Sequence, residues 1–109
     1  MGRIVNMEVG DGVSVAGTSL MGKVKTTYDE LVAVFGPPTY KGGDKTTAEW
    51  NIEFLVEEEV DEEEYIVATI YDWKQDSTPV GPHDWHVGGT RIDAVWYVQD
   101  TLDDYRKGQ

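Results

Sequence analysis

The sequence predicts an α+β domain, in which an antiparallel sheet of three to five strands carries two helices packed on one face. Three observations lead there. Residues 46–56 and 65–73 alternate apolar and polar side chains in the two-residue period of a strand. Residues 28–35 carry an apolar stripe at helical spacing between a start and a stop signal. A second, longer helical pattern runs over about 90–106. With 109 residues the chain has the length of a single domain. A domain of that size buries roughly 65% of its unfolded surface and folds without staples.

Residues 1–19, rich in Gly, Val and Ser, read as a flexible or short-stranded start, and residues 20–109 as the single α+β domain. Arg3, Ile4 and Val5, then Val13 and Val15, are strand candidates around the Asp11–Gly12 turn signal. Thr27-Tyr28-Asp29-Glu30 fits a capping box, with the Thr hydroxyl on a backbone N–H and Glu30 reaching back. Tyr28, Leu31, Val32 and Phe35 follow as one stripe. Gly36 closes the helix and Pro37-Pro38 forbids its continuation. Lys41-Gly42-Gly43-Asp44 is a loop by composition.

In 46–56, Trp50, Ile52, Phe54 and Val56 share a face opposite Asn51 and Glu53. In 65–73, Ile66, Ala68 and Ile70 oppose Tyr65, Val67, Thr69, Tyr71 and Trp73. Apolar residues on both faces make this second strand central. The acidic residues between the two form the tip of an antiparallel hairpin. Residues 75–84 read as a loop and 84–87 as extended chain. Gly88-Gly89-Thr90 then opens the second helix, with Thr90 and Asp93 as its cap pattern. Ile92, Val95, Trp96, Val98, Leu102 and Tyr105 form its apolar face. Gln99 lies near the middle, as a satisfied core amide or a pocket residue.

Twenty-one acids against nine bases leave a net charge of −12, which disfavours direct binding of duplex nucleic acid. Glu57, Glu58, Glu59, Asp61, Glu62, Glu63 and Glu64 form one run without a base. Two roles fit it: a solvated turn kept soluble by charge, or a surface that imitates phosphates and binds a basic host protein. The absence of cysteine excludes disulfides, thiolate metal sites and cysteine nucleophiles. No run approaches 18 apolar residues, and the first residues lack the apolar core of a signal peptide. A cytoplasmic protein without a membrane partner is the expectation.

The stretch Trp85-His86-Val87-Gly88-Gly89-Thr90-Arg91 is the candidate anion site. A helix start offers unpaired N–H groups, and two glycines admit a ligand to the backbone. Thr90, Arg91 and His86 would add donors for a phosphate. The same residues also read as a plain strand-to-helix turn, since neither a P-loop nor a dinucleotide fingerprint is present. Tyr71, Trp73 and Trp85 lie nearby in sequence order with Lys74, and aromatic faces beside a cation stack on nucleotide bases. The alternative for them is the core, where Trp50 and Trp96 are assigned. The candidate ligand-binding set is therefore Tyr71, Trp73, Lys74, Trp85, His86, Gly88, Gly89, Thr90 and Arg91. Ser14, Ser19 and Ser77 sit in loop-like sequence without an elbow motif. His83, Asp84 and His86 lack a further metal ligand at familiar spacing. No catalytic residue, metal or cofactor is expected, and the chain reads as a binding protein.

The order of motifs carries a resemblance. A Tyr-Asp-Glu-Leu-Val helix closed by Phe-Gly-Pro-Pro is followed by Ala48-Glu49-Trp50-Asn51-Ile52-Glu53-Phe54. Then come Ala68-Thr69-Ile70-Tyr71-Asp72-Trp73-Lys74 and Trp85-His86-Val87-Gly88-Gly89. Over about residues 20–102 this resembles small proteins of tailed bacteriophages, and the acidic run departs from the short turn of that pattern. The resemblance implies a protein acting on the host in its cytoplasm. Sequestration of a small nucleotide-type immune signal leads, with a pocket that such proteins often build between subunits of a homo-oligomer. An acidic DNA mimic of the anti-CRISPR kind, or a small virion structural or assembly protein, are the alternatives.

Overall fold

A computed structural model describes residues 2–42, 45–75 and 77–108 of the chain. In chain order these form β1 (Arg3–Val9), β2 (Ser19–Thr26), α1 (Tyr28–Phe35), β3 (Tyr40–Lys41), β4 (Ala48–Glu59), β5 (Glu62–Tyr71), β6 (His83–Gly89) and α2 (Asp93–Lys107). The strands build one antiparallel sheet in the order β1-β4-β5-β6-β2, with β3 paired to the start of β4. The α+β class predicted from the sequence is thus the observed one. The two-residue β3 brings the described strands to six, one more than expected. No described helix is long and apolar enough to cross a membrane.

Alternation in the hairpin sets the core. Trp50, Ile52, Phe54 and Val56 of β4 and Ile66, Ala68 and Ile70 of β5 are buried, joined by Trp85 and Val87 of β6. Both helices lie on this face: Tyr28 of α1 packs on Trp50, and Tyr97 of α2 on Phe54. The start of α1 is only half of the expected capping box. Thr27 Oγ1 accepts from the Glu30 N–H at 3.1 Å. The Glu30 carboxylate does not reach back; it accepts from Thr26 Oγ1 at 2.5 Å and from Arg106 of α2 at 2.6 Å. It has become the joint between the two helices. Gly36, with φ +84°, closes α1, and its carbonyl accepts the Trp50 indole N–H at 2.9 Å.

Several sequence expectations are corrected. Arg3, Ile4 and Val5 belong to a strand that runs on to Val9 and pairs with β4, not with a strand at Val13 and Val15, which lie outside the regular elements. Residues 19–26 form an edge strand that the sequence reading passed over. Its register shifts between Leu20 and Gly22, and the bulge breaks the alternation there. The acidic run is not a turn alone. Glu57, Glu58 and Glu59 continue β4, while Glu62, Glu63 and Glu64 begin β5 around Asp61, which has φ +65°. Of the loop expected at Lys41-Gly42-Gly43-Asp44, Gly43 and Asp44 lie outside the described residues, as does Asp76 in the loop at 75–84.

The second helix is corrected most. It begins at Asp93, after Ile92, and no side chain caps it. Gly88 and Gly89 are the end of β6, so Thr90 caps nothing. Ala94, Tyr97, Val98 and Leu102 are buried, while Ile92 and Trp96, expected in the core, are 51% and 49% exposed. Close approach decides this. A β-carbon at Gly89 would lie 2.6 Å from Ala94 Cβ, so only a small residue fits between helix and strand. The Tyr97 hydroxyl accepts the Gly2 N–H at 2.9 Å and donates to Glu58 at 3.1 Å, which satisfies its polar end. Gln99 is neither core amide nor pocket residue: its Nε2 donates to Asp103 along the helix at 3.0 Å.

The Glu30 joint makes a pH-dependent contribution. Its hydrogen bonds to Arg106 hold the Glu30 carboxyl below its ordinary value near 4.5, against the opposing effect of burial. A carboxyl depressed in the native state stabilises above its unfolded pKa, and that stabilisation is lost as pH falls through the native value. Glu30→Gln is expected to lower stability by about 0.5–1.5 kcal/mol at pH 7. The gap should narrow on acidification below pH 4.5, as followed by urea melts.

Candidate ligand-binding cleft

The face of the sheet opposite the helices carries the cleft. Tyr71 at the end of β5 lies directly across from His86 on β6, and their rings stack at 5.4 Å and 28°. Trp73, two residues further on, stands edge-on to both, at 6.2 Å from Tyr71 and 6.4 Å from His86. Leu20 of β2 supplies the remaining wall of a cleft of about 320 Å³. That volume sits at the small end of ordinary ligand pockets. The floor beside it is Gly88. A β-carbon there would come within 2.5 Å of Thr69 Oγ1 and 3.6 Å of the Tyr71 ring, so the position is closed to any side chain.

Asp72 positions the rim. It follows Ile70 on the core face and is fully buried. One carboxylate oxygen accepts the N–H groups of Thr47 at 2.7 Å and Ala48 at 3.1 Å, and the other accepts the Thr47 hydroxyl at 2.5 Å. Thr47 Oγ1 also bonds Thr78 Oγ1 at 2.6 Å, and the Lys74 N–H donates to the Lys45 carbonyl at 2.8 Å. Two loops far apart in sequence are thereby joined. Lys74, bent into φ +55°, and Lys45 bring their ammonium groups over the Trp73 ring, at 5.9 Å and 5.6 Å. Such pairs are favourable through the negative ring face. Lys23 of β2 lies across from His86 on the other side.

Charge is segregated along the molecule. Arg3, Arg91 and Arg106 all pair with acids, whereas Lys23, Lys45 and Lys74 form no salt bridge among the described residues. Glu49, level with Tyr71, and Glu59 at the acidic tip are ten residues apart on β4, roughly 33 Å at 3.3 Å per residue. That is several Debye lengths, about 8 Å at physiological salt, so the tip does not repel an anion from the cleft. Burial, then Lys23 and His83, push the His86 pKa down, which leaves the imidazole neutral at neutral pH. Its Nδ1 is buried and has no partner among the described residues. Burial raises the Tyr71 pKa, reinforced by Glu49.

Of the candidate set, the structure brings together Tyr71, Trp73, Lys74 and His86, with Gly88 as floor. Trp85 is elsewhere: it is fully buried on the helix face against Trp50 and His83. Gly89 faces α2, and Gly88 and Gly89 offer no helix-start cradle because they are strand residues paired to β2 and β5. Thr90 is exposed and makes no cap. Arg91 is engaged by Glu64 and by Asp93 at 2.7 Å, so its guanidinium is already neutralised. The sequence reading missed Leu20, Lys23, Lys45 and Glu49. Lys23-Val24-Lys25-Thr26 does alternate, which was the available signal for β2; nothing local to Lys45 marks it. Compared with family models, curated proteins and solved structures, the chain matches none.

Asp72→Asn places an amide where the carboxylate accepts three bonds. It is expected to cost about 1–3 kcal/mol. Loosening of the rim should appear as faster proteolysis between residues 72 and 78 and as a red-shifted Trp73 emission, measured in a background where the other indoles are buried or replaced.

Proposed function

We propose that the protein binds and holds a planar, anionic small molecule of the nucleotide class on the open face of its sheet, as a sequestering protein without catalysis. One observation carries the reading. Three rings, Tyr71, Trp73 and His86, converge on one cleft, and Lys45 and Lys74 lie over Trp73 without a salt bridge among the described residues. Aromatic faces accept bases of any sequence, and lysines act as point charges for phosphate. In this reading the positive charge comes not from Gly89, Thr90 and Arg91 but from lysines around the cleft, Lys45 and Lys74 at Trp73 and Lys23 across from His86. With the phage-like motif order, an immune signalling nucleotide of the host is the ligand the reading favours.

Titration calorimetry against mononucleotides, cyclic di- and trinucleotides and ADP-ribose derivatives tests it. Trp73→Ala is expected to weaken binding about 5- to 150-fold, the equivalent of losing one stacked base. Lys74→Ala should weaken it less and flatten its dependence on salt. Absence of binding by the wild-type protein across the panel overturns the reading.

A second reading rests on a different observation. In the acidic hairpin Glu57 lies opposite Glu63, and Glu59 opposite Glu62. Like charges directly opposed weaken a hairpin, which a role in binding a basic host protein would explain. Glu57, Glu58 and Glu64 already contact Arg3, Tyr97 and Arg91. The clean variant therefore changes Glu59, Glu62 and Glu63 to Ser. It should fold with unchanged or raised stability in thermal melts. Under this second reading it loses salt-sensitive binding to a basic partner; unchanged inhibition of the host pathway removes that reading.

A further inference from the structure

A row of five side chains crosses the open face in register: Tyr40 on β3, Glu49 on β4, Tyr71 on β5, His86 on β6 and Lys23 on β2. Directly paired residues share a face, so all five lie on the side away from the helices. Three strand spacings of roughly 4.8 Å separate Glu49 from Lys23, about 14 Å between backbones. Between them lies the stacked pair of rings. Glu49 and Lys23 flank that pair with opposite charge, and neither forms a salt bridge among the described residues. Glu49 is partly buried, yet no lysine or arginine among the described residues pairs with it, and no side chain donates a hydrogen bond to its carboxylate. Taking a carboxylate out of water without a donor is costly. Burial accordingly raises its pKa. An acceptor in that position is matched by a ligand that brings N–H donors.

We infer that Glu49 is the specificity-determining residue of the cleft: it accepts from the amino-bearing edge of a nucleotide base stacked over Tyr71 and His86, while Lys23 takes the phosphate at the opposite end of the row. The ligand class is thereby narrowed to nucleotides of adenine, guanine or cytosine, whose bases present exocyclic N–H groups. Uracil and hypoxanthine nucleotides lack them. Guanine, with two adjacent donors, matches both carboxylate oxygens at once. The polarity of the row fixes which way the ligand lies, which the stacked rings alone do not.

The inference rests on the nucleotide reading and is tested apart from it. Affinities for GMP, IMP, AMP, CMP and UMP are measured by calorimetry with wild type, Glu49→Gln and Lys23→Ala. Wild type is expected to prefer GMP to IMP, and CMP to UMP, by about tenfold, within the range of a good bidentate pair. Glu49→Gln should bring each ratio to within about twofold with UMP affinity nearly unchanged. Lys23→Ala should weaken every nucleotide alike and lower the salt dependence while keeping the base preference. If no nucleotide binds, the functional reading itself fails. If nucleotides bind and Glu49→Gln leaves the base ratios as they were, that reading stands and the assignment of Glu49 is wrong. A melting curve confirms that each variant is folded, and Glu49→Ala repeats the ratio measurement should the glutamine variant retain a hydrogen bond to the base.

Discussion

Close packing at the end of β6 is the constraint on which both faces of this molecule depend. Gly88 and Gly89 carry no side chain because neither face has room for one. On the helix side a β-carbon at Gly89 would meet Ala94 at 2.6 Å, together with the Val67 carbonyl at 3.0 Å. On the open side one at Gly88 would meet Thr69 and the Ser19 carbonyl. The first approach lets α2 settle on the sheet, which in turn sets Val98 and Leu102 into the core and aims Tyr97 at Gly2 and Glu58. The second approach leaves space above β6 between Thr69 and Tyr71 of β5 and Leu20 of β2, so that Leu20 and Tyr71 line one cleft across it. A double glycine that looks like a phosphate loop in sequence is thus a packing device, and the cleft exists one row away from it.

The length of β4 makes the acidity of the chain compatible with the anion-binding reading proposed above. Net charge is a property of the whole chain, but a ligand senses only charges within about a Debye length. Seven of the acids lie at one end of a long hairpin, and Lys23, Lys45 and Lys74, which form no salt bridge among the described residues, lie near the other. The arginines, by contrast, are all spent on structure: Arg106 joins α2 to Glu30 of α1 and to the Lys25 carbonyl, and Arg91 ties the start of α2 to β5. The division suits their chemistry, since a planar guanidinium fixes geometry with several donors while an ammonium on a flexible stem remains adaptable.

How far the sequence disclosed this varies with the range of the interaction. The hairpin was legible because Trp50, Ile52, Phe54 and Val56 alternate without interruption, and α1 because its cap, stripe and stop lie within ten residues. The cleft was half legible. Tyr71, Trp73, Lys74 and His86 stood out by type, yet their meeting depends on the β5–β6 register, which no local pattern encodes. Trp85 was grouped with them by proximity in sequence, although alternation along β6 sends it to the opposite face from His86. Lys45 and Glu49 were invisible because their place follows from Asp72, a buried carboxylate that bonds backbone 24 and 25 residues away. The face of α2 was misread because hydrophobicity favours Ile92 and Trp96, whereas contact distance favours Ala94.

The same distribution of forces bears on how such a cleft holds a ligand. Tyr71 and His86 sit on paired strands, so their rings are placed by the backbone and lose little freedom on binding. Trp73 and the two lysines belong to loops, but the Asp72 carboxylate fixes those loops from beneath with three bonds, and the Lys74–Lys45 backbone bond closes them. The rim therefore has an anchored backbone and movable tips. Lys45 and Lys74 rest on the indole, where the ring face partly compensates their charge. Under the proposed nucleotide reading, these two cations would add positive potential beside the stacking surface, while the phosphate itself would lie with Lys23 at the far end of the row.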